Sequence, residues 1–184
     1  WNDEEFKRSF LADNVFFEPL PRADWGRLDT FLIGLAKGLI YNRSTYLVDR
    51  FGIYSKEEAN FARYIFKRLF FWPLSKLPFL RYILRALDAR LTFDSTLPAV
   101  FEKYKPDLVY STNPSESDDA VVLKAARRLG VPTAEMPKSW DNLSKLSFRA
   151  KADKLLAWSE YVKSEAIKFQ NYKPEDIRIV GIPQ

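Results

Sequence analysis

The feature that most constrains this chain is a change of texture after Lys105 and Pro106. Before that point apolar residues recur at helical spacing over long stretches; after it, short β-rich runs alternate with helix-like ones. Residues 107–112, 131–135, 154–158 and 177–181 read as strands, and residues 116–129 and 159–171 as helices, the first closed by Gly130 just past its end. Strands separated by helices of this length require right-handed βαβ crossovers and a parallel sheet. The expected fold class is therefore α/β, a Rossmann-like parallel sheet with flanking helices. Ligands of such sheets sit beyond the carboxyl ends of the strands, which directs attention to the loops at 111–116, 136–142, 158–161 and 181–184.

Residues 1–104 read as a mostly helical elaboration on that sheet. A short helix over 3–13 is ended by Pro19 and Pro21. Asp24 caps a helix over 24–41 in which Leu28, Phe31, Leu32, Leu35 and Leu39 share one face. Ser55, with Glu57 and Glu58 behind it, opens a helix that runs to Trp72 and stops before Pro73. From Pro78 onward, Leu80, Ile83, Leu84, Leu87 and Leu91 form a stripe that is expected to be buried. Asp94 or Ser95 caps one more helix through Tyr104.

The chemistry open to the chain is narrowed by two zeros: it holds neither His nor Cys. Disulfides, thiol nucleophiles, Cys-type zinc sites and imidazole bases are excluded, so proton transfer falls to Asp, Glu, Lys, Tyr or water. No run approaches the roughly 20 apolar residues a membrane-spanning helix needs, and a cytoplasmic location is expected. The net charge of +5 is local: residues 61–92 hold seven basic residues, one acid and eight aromatics, and the rest is near neutral. That segment reads in three ways. It is a solvated face over a core stripe, a nucleic-acid surface, which lacks any accompanying recognition motif, or an interfacial membrane patch. In the last reading Phe70, Phe71 and Trp72 enter the headgroup layer while Arg63, Lys67, Arg68, Lys76 and Arg81 meet anionic lipid.

Two loops carry the candidate chemistry. Pro137, Lys138, Ser139, Trp140, Asp141 and Asn142 place a hydroxyl, an indole, a carboxylate and an amide in succession, a set able to stack on a sugar, hydrogen-bond hydroxyls and accept a proton. The plain structural alternative is a turn with Trp140 plugging the core. Thr112, Asn113, Pro114, Ser115 and Glu116 form either a turn and helix cap or a polar cluster facing a cleft. Ser159 and Glu160 fit a helix cap with a first-turn acid, or a helix start that holds an anion. Asp118 and Asp119 resemble a metal pair, but acids in a first helical turn are favoured by the helix dipole. There is no GxxxxGK[ST] or GxGxxG phosphate loop.

Ser139 to Leu143, the run from Phe148 through Trp158, Ser159 and Glu160, and the run from Asn171 through Gly181, Ile182, Pro183 and Gln184 together resemble the end of the N-terminal domain of a GT-B-fold glycosyltransferase. The resemblance covers about residues 105–184 and is strongest to the bacterial surface-polysaccharide group related to CDP-glycerol glycerophosphotransferases and UDP-N-acetylglucosamine 2-epimerase. It implies two Rossmann-like domains facing a cleft, the acceptor held by the N-terminal one and a nucleotide-activated sugar by the C-terminal one. On this reading residues 1–184 form one incomplete domain. The first strand and its glycine loop precede Trp1, and the donor domain follows Gln184.

The expected function is the acceptor side of a glycosyltransferase in bacterial surface polysaccharide or glycolipid synthesis. The acceptor is a glycan or a lipid-linked molecule on the inner membrane face. No metal or other cofactor is required in principle, because helix dipoles and backbone donors can hold the leaving diphosphate. Asp141, with Glu116 second, is the candidate base or hydrogen-bond partner of the acceptor. Thr112, Asn113, Ser139, Trp140 and Asn142 position the sugar, and Ser159, Glu160 and Gly181 line the cleft. Alone, the chain is expected to be inactive for want of a donor site. The alternatives are a nucleotide-sugar 2-epimerase-like enzyme and a non-catalytic domain that docks on membrane or a partner.

Overall fold

A computed structural model of the protein describes residues 15, 26–52, 61–92, 94–139 and 141–182. The expected helix over 3–13, Pro19, Pro21, Asp24, the opening at Ser55, Trp140, Pro183, Gln184 and the side chain of Arg63 lie outside the described residues.

Five helices come first: α1 (Arg27–Gly38), α2 (Arg43–Phe51), α3 (Phe61–Ser75), α4 (Phe79–Leu91) and α5 (Leu97–Tyr104). Strand β1 (Val109–Ser111) leads through α6 (Ser117–Arg128) to β2 (Thr133–Glu135). A short α7 (Asn142–Lys145) interrupts the passage to β3 (Lys154–Ala157), and α8 (Glu160–Gln170) precedes β4 (Ile177–Ile179). The strands lie in the order β1-β2-β3-β4 and every pair is parallel. The protein is thus an α/β molecule with a Rossmann-like parallel sheet flanked by helices.

The helices around the sheet end where the sequence places the breaks. Gly130 has φ 72 just beyond α6, and Asn171 takes φ 58 at the end of α8, a left-handed position that Asn tolerates. Because side chains alternate along a strand, Leu155 and Ala157 share one face. With Ile177 they cluster against Val162 and Ala166 of α8 and against Leu143, Phe148 and Tyr172. Leu143, Phe148 and Leu155 are fully buried, each worth roughly 1.5–3 kcal/mol, a large share of a domain's usual 5–15 kcal/mol. Helix α6 packs Ala120 and Leu123 on Ala150 and Ala152, and turns Ala125 and Ala126 toward Leu97 and Phe101 of α5.

The helical half departs from the sequence reading in five places. Helix α2 was not anticipated; Asn42 and Thr45 form a reciprocal capping box at its start, and the Asn42 amide also donates to the Ser144 carbonyl at 2.6 Å. Helix α3 passes through Pro73 instead of stopping at Trp72. The proline falls in the last turn, where Lys76 and Leu77 already bond three residues back, to Pro73 and Leu74, so one missing donor is tolerated. The ring of Phe71 is half-buried and occupies the space a Cβ would fill at Gly38, so it packs α3 on α1 instead of standing in a membrane patch. Thr96 is the residue preceding α5; Asp94 supports it by accepting from the Thr96 backbone N–H at 2.8 Å.

The fifth departure is the largest. Of the stripe on α4, only Leu84 is buried, while Ile83, Leu87 and Leu91 are 48%, 44% and 56% exposed. The helix turns inward along Arg81, Leu84 and Asp88 instead. Arg81 donates to Asn171 Oδ1 at 3.1 Å and to the Lys168 carbonyl at 3.0 Å; Arg85 donates to the Phe148 carbonyl at 2.9 Å, to Asn171 Oδ1 and to Gln170 Oε1. The last carbonyls of α8 have no partners within their own helix, and its C-terminal end carries partial negative charge. Guanidinium groups satisfy both needs. Arg81 is therefore a buried tie between the two halves and not a lipid-facing cation.

Candidate functional site

At the carboxyl ends of β1 and β2 the chain gathers a polar cluster. Ser111, the last residue of β1, donates from its hydroxyl to Asp119 Oδ2 at 2.5 Å, and the Asn113 backbone N–H donates to the same oxygen at 3.1 Å. Asp119 thereby fixes the loop after β1 from the first turn of α6. Its carboxylate is engaged in hydrogen bonding, and no group of three His, Cys, Asp or Glu side chains suited to a metal occurs among the described residues.

The loop after β2 meets that loop directly. Asn142 Nδ2 donates to Ser115 Oγ at 3.2 Å and approaches Asn113 Oδ1 at 3.5 Å, while Ser115 Oγ donates to Asn113 Oδ1 at 2.7 Å. Asn113, Ser115 and Asn142 thus form one contiguous unit although 27 residues separate the last two. Asp141 precedes α7. Its Oδ1 accepts from the Ser139 hydroxyl at 2.7 Å and its Oδ2 pairs with Lys145 at 2.5 Å, one helical turn on. Burial would raise the Asp141 carboxyl, but the Lys145 ammonium and the Ser139 hydroxyl outweigh it and hold the group below its ordinary value. A carboxylate held this firmly ionised is a better hydrogen-bond acceptor than proton acceptor at neutral pH.

A cleft of about 330 Å³ opens beside this cluster, between α1, the start of α6 and α7. Ser115, Glu116, Ser117 and Asn142 form its polar wall, and Lys37, Lys145 and Arg149 add cations to it, Lys145 paired with Asp141 and Arg149 with Asp29 and Asp88. Glu116 is exposed at the start of α6, where its side chain caps no backbone N–H, which leaves the carboxylate available to a ligand.

The structure brings Asn113, Ser139, Asp141 and Asn142 into one cluster, with Glu116 on the adjoining wall. Thr112 is exposed beside Asn113. Of the predicted residues Glu116 and Asn142 line this cleft, whereas Thr112, Asn113, Ser139, Asp141, Ser159, Glu160 and Gly181 do not. Ser159 is the cap of α8, accepting from the Val162 N–H at 3.4 Å, and Gly181 follows β4 with φ 80. Ser115 is expected as part of the 112–116 loop and Asp119 as half of a metal-like pair, whereas Ser111, Lys145, Lys37 and Arg149 are members that the sequence did not single out. Lys145 was legible as the fourth residue after Asp141. Lys37 and Arg149 reach the cleft only through packing of α1 against the sheet half.

No family model, curated protein or solved structure matches the chain.

On the helical side, Phe61, Phe66, Leu69, Phe70 and Trp72 of α3 are each at least half exposed. Arg68 is exposed and donates to the Tyr64 hydroxyl at 3.3 Å, and Lys76 lies 5.8 Å from the Trp72 ring. Lys67 differs, because Asp49 holds it with two bonds of 2.7 and 2.9 Å. No helix among the described residues is long and apolar enough to cross a membrane.

Proposed function

We propose that the chain is the acceptor-side half of a GT-B-type glycosyltransferase that uses a nucleotide-activated sugar in bacterial surface polysaccharide or glycolipid synthesis. The observation that carries this reading is the meeting of the two loops beyond β1 and β2, where Asn113, Ser115 and Asn142 hydrogen-bond one another next to the Ser139–Asp141 pair, and Ser115 and Asn142 line a cleft. Hydroxyl and amide groups in that arrangement suit a polyhydroxylated acceptor. Asp141 serves as the acceptor's hydrogen-bond partner, and Glu116, exposed on the wall, is the better placed of the two to take a proton.

The exposed aromatics of α3, with Arg68 and Lys76 beside them, support docking on an anionic membrane and an acceptor that is lipid-linked. In the full-length protein, transfer of labelled sugar from a panel of nucleotide sugars to extracted membrane lipid is the test. Asp141→Asn and Glu116→Gln are each expected to lower turnover about a hundredfold with unfolding temperature unchanged. Full turnover in both variants would refute the assignment. Conversion of a nucleotide sugar with no acceptor present would instead indicate an epimerase.

A further inference from the structure

A second basic cleft lies at the opposite edge of the sheet. Arg127 and Arg128 end α6 just before β2, and Lys151 stands just before β3, so this cleft borders the amino ends of the strands. It encloses about 230 Å³ between α4, α6 and residues 149–151. Its charged lining is Arg85, Lys124, Arg127, Arg128, Arg149 and Lys151, with no acid among the lining residues.

Some of that charge is already balanced. Lys124 and Arg149 bind Asp88 at 2.9 and 2.6 Å. Arg85 and Lys151 are different: their hydrogen-bond partners are neutral. Arg85 donates to the Phe148 carbonyl and to the Asn171 and Gln170 side-chain oxygens. Lys151 donates to the Asn171 carbonyl at 2.7 Å, with its ammonium 4.2 Å from the Tyr172 ring. Neither is in an ion pair with Glu135, which accepts from the Tyr172 hydroxyl and the Ala152 N–H, or with Asp176, which pairs with Lys154. Arg127 is exposed at the cleft's rim and makes no ion pair among the described residues.

Cations withdrawn from water without a counter-charge are costly. Desolvation pushes Lys151 down to about 8 and Arg85 down to about 10. An anion entering the cleft would reverse that cost, and the guanidinium groups of Arg127 and Arg128 in its lining, with the Lys151 ammonium, suit a multivalent phosphate. On α4, Arg85 and Ala89 border the cleft, whereas Leu87 and Leu91, each two residues further on, point about 160° away around the helix. The exposed apolar face of α4 therefore lies opposite the cleft, which favours a soluble ligand over a lipid headgroup.

We propose that this cleft binds a soluble multivalent phosphate, a diphosphate being the smallest ligand of the class, at a site other than the carboxyl-edge cleft, with which it shares Arg149 in its lining. The test is calorimetric titration of the full-length protein with inorganic pyrophosphate. Saturable binding is expected, weakened about tenfold in Arg127→Ala and at least as much in Lys151→Gln. Lys145→Ala, which alters the other cleft, is expected to leave this binding unchanged, so the outcome does not depend on the glycosyltransferase reading. Because Arg127 is exposed at a helix end, Arg127→Ala is expected to fold normally, as thermal unfolding would verify. No saturable binding, binding that Arg127→Ala leaves intact but Lys145→Ala removes, or a response only to phosphatidic acid vesicles would each overturn the proposal.

Discussion

Two buried carboxylates, Asp88 under α4 and Glu135 under α8, are both 0% exposed and have opposite surroundings. Asp88 receives the Arg149 guanidinium on both oxygens, at 2.6 and 2.8 Å, together with the Lys124 ammonium and the Thr92 hydroxyl. Burial alone would raise its carboxyl, but these partners overcome that and hold it low. Glu135 has the Tyr172 hydroxyl at 2.6 Å and the Ala152 N–H at 3.1 Å, both neutral donors. Desolvation prevails there and pushes it up to about 7. What separates the two is the wall each one faces. Helix α8 lies on an apolar strand floor, whereas α4 lies on helix ends and loops that present charges and carbonyls.

The comparison breaks most sharply at Asp88. Replacing it with Ala leaves Arg149 and Lys124 buried beside each other, with Asp29 still paired to Arg149. A loss of about 3–5 kcal/mol is expected, read from the urea midpoint. A loss below about 1 kcal/mol would mean that the ion cluster does not hold α4 in place.

The pH dependence of stability tests the other member. The Asp88 contribution is complete above its unfolded value near 3.9 and is lost as pH falls through the lower folded value. Glu135 acts with the opposite sign. Between about 4.5 and about 7 the folded chain retains a proton that the unfolded chain has released, so stability declines as pH rises through that window. The decline is on the order of 3 kcal/mol. Glu135→Gln should abolish it, because a neutral amide can donate to the Tyr172 hydroxyl, which in turn donates to the Ala152 carbonyl at 3.1 Å. An unchanged pH profile in that variant would place the titration elsewhere.

The sheet half was legible because strand–helix alternation, Gly130 and the Ser159 cap are local signals. The meeting of Asn113 with Asn142 followed from the rule that loops converge at the carboxyl edge of a parallel sheet. The inward face of α4 was not legible. Its leucines at helical spacing suggested an apolar seam, and periodicity specifies faces without saying which one a neighbour covers. The partners that decide the matter, Asn171, Phe148, Arg149 and Lys124, lie more than 30 residues away in sequence, and nothing near α4 announces them.

Asn171 allows the side-chain tie to be separated from the backbone turn. Its φ of 58 is a conformation that Gly adopts freely, so Asn171→Gly by itself should be harmless to the end of α8. Its Oδ1, however, accepts from both Arg81 and Arg85. If those bonds key α4 to α8, the variant loses about 1–3 kcal/mol despite the relieved backbone. A neutral or stabilising result would show that the remaining carbonyl partners of the two arginines suffice.

The smallest effect on stability is expected on the outward side of α4. Ile83 and Leu87 are nearly half exposed, so the double variant Ile83→Ser, Leu87→Ser removes little buried area. Its unfolding midpoint should stay within about 0.5 kcal/mol of the parent. Flotation with vesicles supplies the contrasting readout. If the apolar side of α4 extends the exposed aromatic face of α3 onto a lipid surface, the double variant reduces recovery with vesicles containing anionic lipid at low salt. A large loss of stability would instead mean that the apolar stripe is a core seam after all, and the assignment of inward charge to α4 would fail with it. Unchanged stability with unchanged flotation would confine membrane contact to α3, where Phe70, Trp72, Arg68 and Lys76 remain.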